Sequence, residues 1–168
     1  MSNHQSLLDV PLIFASLMGS IRFVAKKELF AIPILGKAIS ASGFVSVDRK
    51  NILNEHDFTL KMKAKLDESL SLWIFPEGTR SLSGELQHFK AGAFRVAREM
   101  GAVIVPVGIS GTRNALPAGT FDVKTHQKVF IRVGKPIDTR DYTNIDSQKD
   151  LIEKTHFAIA KLMQECTL

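Results

Sequence analysis

Apolar positions along the chain follow two alternating patterns, short continuous runs and longer stripes at helical spacing. Short apolar runs bounded by glycine, proline or charged residues are typical of buried strands, and they occur at residues 21–26, 44–47, 72–75, 103–109 and 128–133. Apolar residues spaced three or four apart predict helices at residues 7–18, 28–40, 54–69, 91–100 and 147–163. Pro33 and Gly36 interrupt the second helix, and residues 111–126 have the composition of a surface loop.

This alternation of strands and helices predicts an α/β fold. Strands that are separated by helices usually pair in parallel, so we expect a central, largely parallel (mixed) sheet flanked by helices. Pro106 divides the apolar run 103–109 and indicates a break in pairing or an edge position. The sequence has no repeat, low-complexity segment or linker, and residues 1–168 are therefore predicted to form one domain.

Composition narrows the possible partners. The 168 residues carry a formal net charge of +5 with a pI near 9.4, which favours an anionic partner such as a phosphate, a coenzyme or a membrane surface. Nucleic acid is disfavoured, because the basic residues form no long run and do not alternate with aromatic residues.

The single cysteine, Cys166, excludes an internal disulfide and is interpreted as incidental. No apolar run approaches the roughly 20 residues that span a bilayer, so we expect that this chain does not cross a membrane by itself.

The chain opens with a histidine and a carboxylate five positions apart, His4 and Asp9, in the segment NHQSLLD. Five positions correspond to about 140° around a helix, so the two side chains would not meet on one regular helix. They can meet if His4 lies in the turn before the helix and Asp9 points back from its second turn. Asp9 would then fix the imidazole tautomer and leave the other ring nitrogen as a general base. The alternative is a capping turn before an ordinary helix.

A second polar segment, FPEGTRS at residues 75–81, directly follows the predicted strand 72–75. In parallel α/β sheets, functional side chains collect at the carboxyl ends of strands. Gly78 permits close backbone approach, and Arg80 can bind a phosphate through two parallel hydrogen bonds, with Thr79 adding its hydroxyl. The alternative is that Glu77 forms a structural ion pair with Arg80.

Other basic residues could contribute to the same anion site. Arg49 follows the predicted strand 44–47, and Lys90 precedes the predicted helix 91–100, whose N-terminus also favours anions. Further candidates are Lys26, Lys27 and Arg113. For each single lysine, the favoured alternative is a solvated surface residue. The remaining histidines have no carboxylate or cysteine at metal-ligand spacing, so we predict no metal site.

Four segments, in order and at suitable intervals, resemble the glycerolipid acyltransferase family, above all the 1-acylglycerol-3-phosphate (lysophosphatidate) acyltransferases of bacterial type. They are NHQSLLD at residues 3–9, GFVSVDR at 43–49, FPEGTRS at 75–81 with FKAGA at 89–93, and VIVPV at 103–107. The resemblance covers residues 3–137. It favours the interpretation of His4 and Asp9 as a catalytic pair over that of a capping turn.

The resemblance implies transfer of a fatty acyl group to the sn-2 hydroxyl of 1-acylglycerol-3-phosphate, giving phosphatidic acid. The co-substrate would be acyl-CoA or acyl carrier protein, and no cofactor is expected. His4 would be the general base, and Asp9 would hold its imidazole. The acceptor phosphate would be bound by Arg49, Arg80 and Lys90, and Glu77, Gly78 and Thr79 would form part of the acceptor pocket.

The resemblance leaves the acceptor open, since glycerol-3-phosphate or another lysophospholipid would require few changes. A catalytically silent module that binds anionic lipid is the non-enzymatic alternative. Members of the family usually carry hydrophobic helices before the histidine segment, and this sequence has none there. The expected partners are the acyl donor, a lysophospholipid and a membrane surface. The expected location is the cytoplasmic face of the membrane, either peripheral or anchored by an N-terminal segment absent from this chain.

Overall fold

A computed structural model describes residues 1–17, 19–48, 55–68 and 70–165. The chain divides into two compact units. The first, called the site unit, comprises Met1–Met18 and Phe75–Leu168; the second, called the sheet unit, comprises Gly19–Ile74. That the whole chain forms one domain stays a prediction.

The sheet unit contains a three-stranded parallel sheet, as the alternation of strands and helices predicted. The strands are β1 (Ile21–Lys26), β2 (Val45–Val47) and β3 (Ser71–Trp73), in the order β2-β1-β3. Phe23 in β1 lies opposite Trp73, and its ring also contacts Phe44 at a centroid distance of 5.3 Å. The observed β1 has the predicted bounds, whereas β3 ends at Trp73, two residues earlier than predicted.

Among the described residues of this unit, three helices accompany the sheet. They are α2 (Lys27–Phe30), α3 (Leu35–Ala41) and α4 (Glu55–Asp67). The predicted helix 28–40 is thus two short helices, because the chain turns sharply at residues 31–34. The predicted ends of α4, at residues 54 and 69, lie outside the described residues. Within the described ranges, no helix is both long enough and apolar enough to span a bilayer.

The site unit is built on two antiparallel strand pairs and packed helices. Strand β4 (Val103–Ile104) pairs with β7 (Ile137–Asp138), and β5 (Val107–Ser110) pairs with β6 (Phe130–Val133). The helices are α1 (Asp9–Ser16), α5 (Ala91–Glu99), α6 (Thr112–Ala115) and α7 (Ile145–Glu165), with a short 3₁₀ turn at Thr139–Asp141. Helix α7 packs so closely on β5 that a side chain at Gly108 would collide with Leu162.

The predictions for two segments of this unit have different outcomes. The break in pairing that Pro106 indicated is confirmed, because the chain breaks at this residue, which has no N–H to donate, and the two halves of the predicted strand 103–109 pair with different partners. Residues 111–126 are not entirely loop, since they contain the four-residue helix α6, and strand β7 was not predicted at all. The core of the unit lies between α5, α7 and the β4–β7 pair, around Phe94, Leu151 and Ile137.

Candidate active site

His4 and Asp9 are joined by a hydrogen bond, as predicted. The distance from His4 Nδ1 to Asp9 Oδ2 is 2.7 Å. Helix α1 begins at Asp9, so the carboxylate projects from the first helical turn and not from the second. The two side chains meet because His4 lies before the helix, in a turn that places its imidazole next to the first helical residue.

A single oxygen of Asp9 organises this turn. Asp9 is completely buried, and its Oδ2 also accepts the backbone N–H groups of Gln5 at 2.7 Å and Ser6 at 2.9 Å. An ionised carboxylate only accepts hydrogen bonds, so a neutral His4 beside it donates from Nδ1 and has Nε2 as its unprotonated nitrogen. The arrangement presents Nε2 as a general base.

The imidazole of His4 is oriented by an aromatic neighbour. Phe75 stacks on it with a centroid distance of 3.9 Å and an angle of 14° between the rings. The histidine side chain remains 17% exposed, so it is held in place without being enclosed in the core. The sequence did not single out Phe75.

The backbone of His4 is bound on both sides by the FPEGTRS segment. Its N–H donates to Glu77 Oε1 at 2.7 Å, and its carbonyl accepts the N–H of Ser81 at 2.8 Å. Residues 73 positions apart in the sequence are thus joined into one local structure. The two segments that the sequence identified separately form a single candidate site.

Asn3 anchors the same segment to strand β5, a role that the sequence analysis did not assign. Its side-chain amide donates to the carbonyl of Ile109 and accepts the N–H of the same residue, both at 2.8 Å. Ser6 adds a hydrogen bond from its hydroxyl to the carbonyl of Leu116 at 2.7 Å. The asparagine therefore pairs with β5 as a neighbouring strand would, and fixes the position of the histidine next to it.

Glu77 binds backbone and not Arg80. It is 3% exposed, and its second carboxylate oxygen accepts the N–H of Gln87 at 3.0 Å. Among the described residues, no ion pair joins Glu77 to Arg80. Burial raises the pKa of the Glu77 carboxyl to about 7; the N–H groups of Gln87 and His4 oppose that rise, and the charge of Asp9 adds to it.

Replacing Glu77 with glutamine is expected to change how stability depends on pH. The carboxyl pKa is about 7 in the folded protein against an ordinary value of 4.5, so the folded state retains a proton that the unfolded state loses. The wild type should therefore lose about 3 kcal/mol relative to Glu77→Gln as pH rises from 4.5 to 7. Urea unfolding of both proteins across this range measures the difference. Glu85→Gln, at an exposed glutamate nearby, is the control, and parallel curves for wild type and Glu77→Gln would contradict the expectation.

The remaining predicted residues of the FPEGTRS segment lie around the same turn. Gly78 has a φ of +76°, which favours glycine, and the side chain of Lys90 passes directly over it. The N–H of Lys90 donates to the carbonyl of Pro76 at 2.9 Å, and α5 begins at the next residue, as predicted. Thr79 and Lys90 are exposed and Arg80 is half-buried, so all three remain accessible.

The other basic candidates are placed differently. Arg113 donates two hydrogen bonds to the carbonyl of Leu82, at 3.1 and 2.9 Å, and so secures the end of the same turn. Lys27 lies in the sheet unit and pairs with Asp48 at 3.5 Å. Arg49 lies outside the described residues, and its convergence with Arg80 stays a prediction. Within the described part of the chain, no three His, Cys, Asp or Glu side chains are arranged to hold a metal ion.

Comparison with known proteins places this geometry in a family. The family model described as "Acyltransferase" matches residues 1–110. The chain is 39% identical over 136 residues to the chloroplastic 1-acyl-sn-glycerol-3-phosphate acyltransferase LPAT1 of Arabidopsis thaliana, covering 81% of this chain and 38% of that protein. It is 34% identical over 164 residues to the 1-acyl-sn-glycerol-3-phosphate acyltransferase of Haemophilus influenzae, covering 97% of this chain and 67% of that protein.

A solved structure agrees with these relatives. The crystal structure of the 1-acyl-sn-glycerophosphate (LPA) acyltransferase PlsC from Thermotoga maritima matches with a TM-score of 0.75 and 26% identity, covering 99% of this chain and 64% of that one. The chain spans about two-fifths of the plant relative and about two-thirds of the two bacterial proteins. The family match covers well over half of the chain and includes both segments of the candidate site. The chain belongs to the acyltransferase family.

Proposed function

We propose that this chain transfers a fatty acyl group from a thioester to the sn-2 hydroxyl of 1-acylglycerol-3-phosphate, giving phosphatidic acid. The observation that carries the proposal is the hydrogen bond from His4 Nδ1 to the buried Asp9, which leaves Nε2 as a base. The names of the plant and bacterial relatives support this acceptor. The acyl donor would be acyl-CoA or acyl carrier protein.

The proposed reaction needs one proton acceptor and no covalent acyl-enzyme. Nε2 of His4 takes the proton of the sn-2 hydroxyl as its oxygen attacks the thioester carbonyl and forms the new C–O bond. The C–S bond then breaks, and the imidazolium returns the proton to the departing thiolate. Asp9 stabilises the imidazolium while it exists, because its carboxylate lies 2.7 Å from Nδ1.

The acceptor phosphate would be bound by the basic residues around the FPEGTRS turn. Arg80 and Lys90 are both accessible there, and Gly78 leaves room for the Lys90 side chain to lie over the turn. Arg49 and Thr79 would complete this set. Binding the phosphate aligns the neighbouring hydroxyl with His4, and alignment of this kind contributes strongly to catalysis.

Glu77 would act on the reaction through His4. Its two oxygens hold the backbone N–H groups of His4 and Gln87, so it fixes the histidine relative to the turn that bears Arg80. These contacts support a positioning role for Glu77, in addition to its expected contribution to the acceptor pocket. Because the proposed acceptor is a lipid, the reaction would take place at a membrane surface, and the proposed side is its cytoplasmic face.

An acceptor comparison tests the proposal. The purified chain would be given oleoyl-CoA with lysophosphatidate, glycerol-3-phosphate or lysophosphatidylcholine, and thiol release and lipid product would be measured together. We expect thiol release to depend on the acceptor, to be fastest with lysophosphatidate, and to match phosphatidate formation one to one. Faster turnover of another acceptor would reassign the substrate. Absence of transfer to all three would refute the enzymatic proposal.

A further inference from the structure

The turn between α2 and α3 exposes a concentration of large apolar side chains. Residues 29–35 read LFAIPIL, and the exposed members are Leu29 at 37%, Ile32 at 44%, Ile34 at 84% and Leu35 at 42%. Single exposed apolar residues are ordinary on protein surfaces, whereas apolar patches mark sites of interaction. This segment, residues 29–35, is called the α2–α3 tip.

The backbone of the tip is strained at its most exposed residue. Ile34 has φ +67° and ψ −60°, and the N–H of Leu35 donates to the carbonyl of Pro33 at 2.8 Å across it. This is the γ-turn of positive φ, a rare and strained conformation, and for a β-branched residue it is a clear outlier. Strain of this kind persists mainly at functional sites. No burial of Ile34 in the structure offsets it.

Neighbouring contacts hold the tip in this shape. The N–H of Gly36 donates to the carbonyl of Ile32 at 2.8 Å. A side chain at Gly36 would collide with the carbonyl oxygen of Phe30, so the close approach of α3 to α2 requires glycine. The tip is therefore a built feature of the sheet unit, which presents isoleucine outward.

The charged residues beside the tip indicate which kind of partner it binds. Lys26, Lys27 and Lys37 are exposed beside it, whereas the carboxylates are Glu28 in the same segment and Asp48, which pairs with Lys27 at 3.5 Å, so these five residues carry a net charge of +1. Exposed apolar side chains flanked by lysines suit an anionic bilayer, in which the apolar groups insert and the ammonium groups bind phosphates. A second copy of this chain would bring the same positive charge and be repelled.

We propose that the α2–α3 tip inserts into an anionic membrane surface. The inference deepens the proposed function, and rests on it, because the lipid acceptor would be taken from that surface. Insertion would bury Ile34 in the acyl region while the flanking lysines stay among the headgroups. Insertion would also explain the strained turn, because the strained conformation exposes the Ile34 side chain, which would be buried in lipid.

Replacing Ile34 with glycine separates lipid binding from folding. Glycine adopts positive φ readily, so Ile34→Gly should fold at least as stably as the wild type. Loss of one buried isoleucine side chain should weaken flotation with phosphatidylcholine/phosphatidylglycerol vesicles by about tenfold or more. Phe157→Ala, which removes a 72% exposed side chain from α7, is the matched control and should bind as the wild type does.

Fluorescence gives a second, positive readout. Trp73 is the single native tryptophan and is buried, so a tryptophan introduced by Ile34→Trp reports on the tip. Its emission should shift to shorter wavelength with the mixed vesicles, less so with phosphatidylcholine alone, and less at high salt. Wild-type vesicle binding by Ile34→Gly, or an unshifted emission from Ile34→Trp in vesicle-bound protein, would overturn the proposal. So would a change in oligomeric state without a change in vesicle binding, which would assign the tip to a second copy.

Activity assays distinguish failure of this proposal from failure of the proposed function. With a short-chain lysophosphatidate that stays monomeric, Ile34→Gly should turn over as the wild type does. With the acceptor embedded in vesicles, its rate should fall with its binding. If neither protein transfers acyl groups to any acceptor, the proposed function is wrong, and the vesicle-binding results still decide whether the tip docks on lipid.

Discussion

Alanine in place of His4 is expected to lower acyl transfer by at least about a hundredfold, because a positioned base contributes about 10²–10⁴-fold. The substitution removes Nε2 and the hydrogen bond to Asp9, and leaves Asp9 bound to the N–H groups of Gln5 and Ser6. The turn should therefore keep its shape. The loss should appear in kcat more than in KM, since the base acts mainly in the transition state.

The control for this substitution is His156→Ala. His156 also packs against a phenylalanine, Phe89, at a centroid distance of 4.8 Å, but it has no carboxylate partner among the described residues. Activity of this variant should stay near that of the wild type, and circular dichroism and thermal unfolding check that both proteins fold. Retention of most acyl transfer by His4→Ala would show that His4 is not the general base, whereas a wild type without transfer would favour the catalytically silent lipid-binding module.

The parts of the candidate site that depend on residues close together in the chain were predictable from the sequence. His4 and Asp9 lie close together in the chain, and a turn followed by a helix start is enough to bring them into contact. The segment 75–81 was identified because its polar residues directly follow an apolar run. In both places a local pattern determines a local geometry, and the resemblance to the acyltransferase family rests on the same segments.

The contacts that join these segments were not predictable in the same way. Asn3 binds Ile109 across 106 positions, and Glu77 binds the backbone of His4 across 73. Sequence proximity suggested an ion pair between Glu77 and Arg80, yet the carboxylate is directed to backbone N–H groups that only the folded chain brings near. When a buried polar side chain binds backbone groups, the sequence contains no complementary side chain that would reveal the pairing.

The fold shows a similar limit. The apolar run 103–109 has the composition of one buried strand, and its composition cannot show that its two halves pair with β7 and β6 separately. Strand β7 has only two residues, Ile137 and Asp138, too few to form an alternating pattern. The parallel sheet of β1, β2 and β3, in contrast, was predicted because each strand is a distinct apolar run next to a helix.

A carboxylate beside a histidine can fix its tautomer and can also supply negative charge. The contacts of Asp9 allow these two roles to be tested separately. All three donors, from His4, Gln5 and Ser6, converge on Oδ2, whereas Oδ1 is buried without a hydrogen-bond partner among the described residues. An asparagine can place its carbonyl oxygen where Oδ2 lies and keep all three hydrogen bonds. Its NH₂ group would then take the place of Oδ1, where it has no acceptor.

Asp9→Asn should therefore retain the tautomer of His4 and lose the charge that stabilises its imidazolium. We expect kcat to fall by about 10²-fold, less than the roughly 10⁴-fold loss that accompanies a wrong tautomer in serine proteases. Asp9→Ala removes the acceptor of all three N–H groups and should cost more in kcat, and should also destabilise the fold by about 1–3 kcal/mol for each buried donor left unpaired. Steady-state kinetics and urea unfolding of both variants measure these effects. Equal losses of kcat for the two variants would mean that the asparagine does not keep the tautomer, whereas wild-type activity of Asp9→Asn would mean that the charge is not needed.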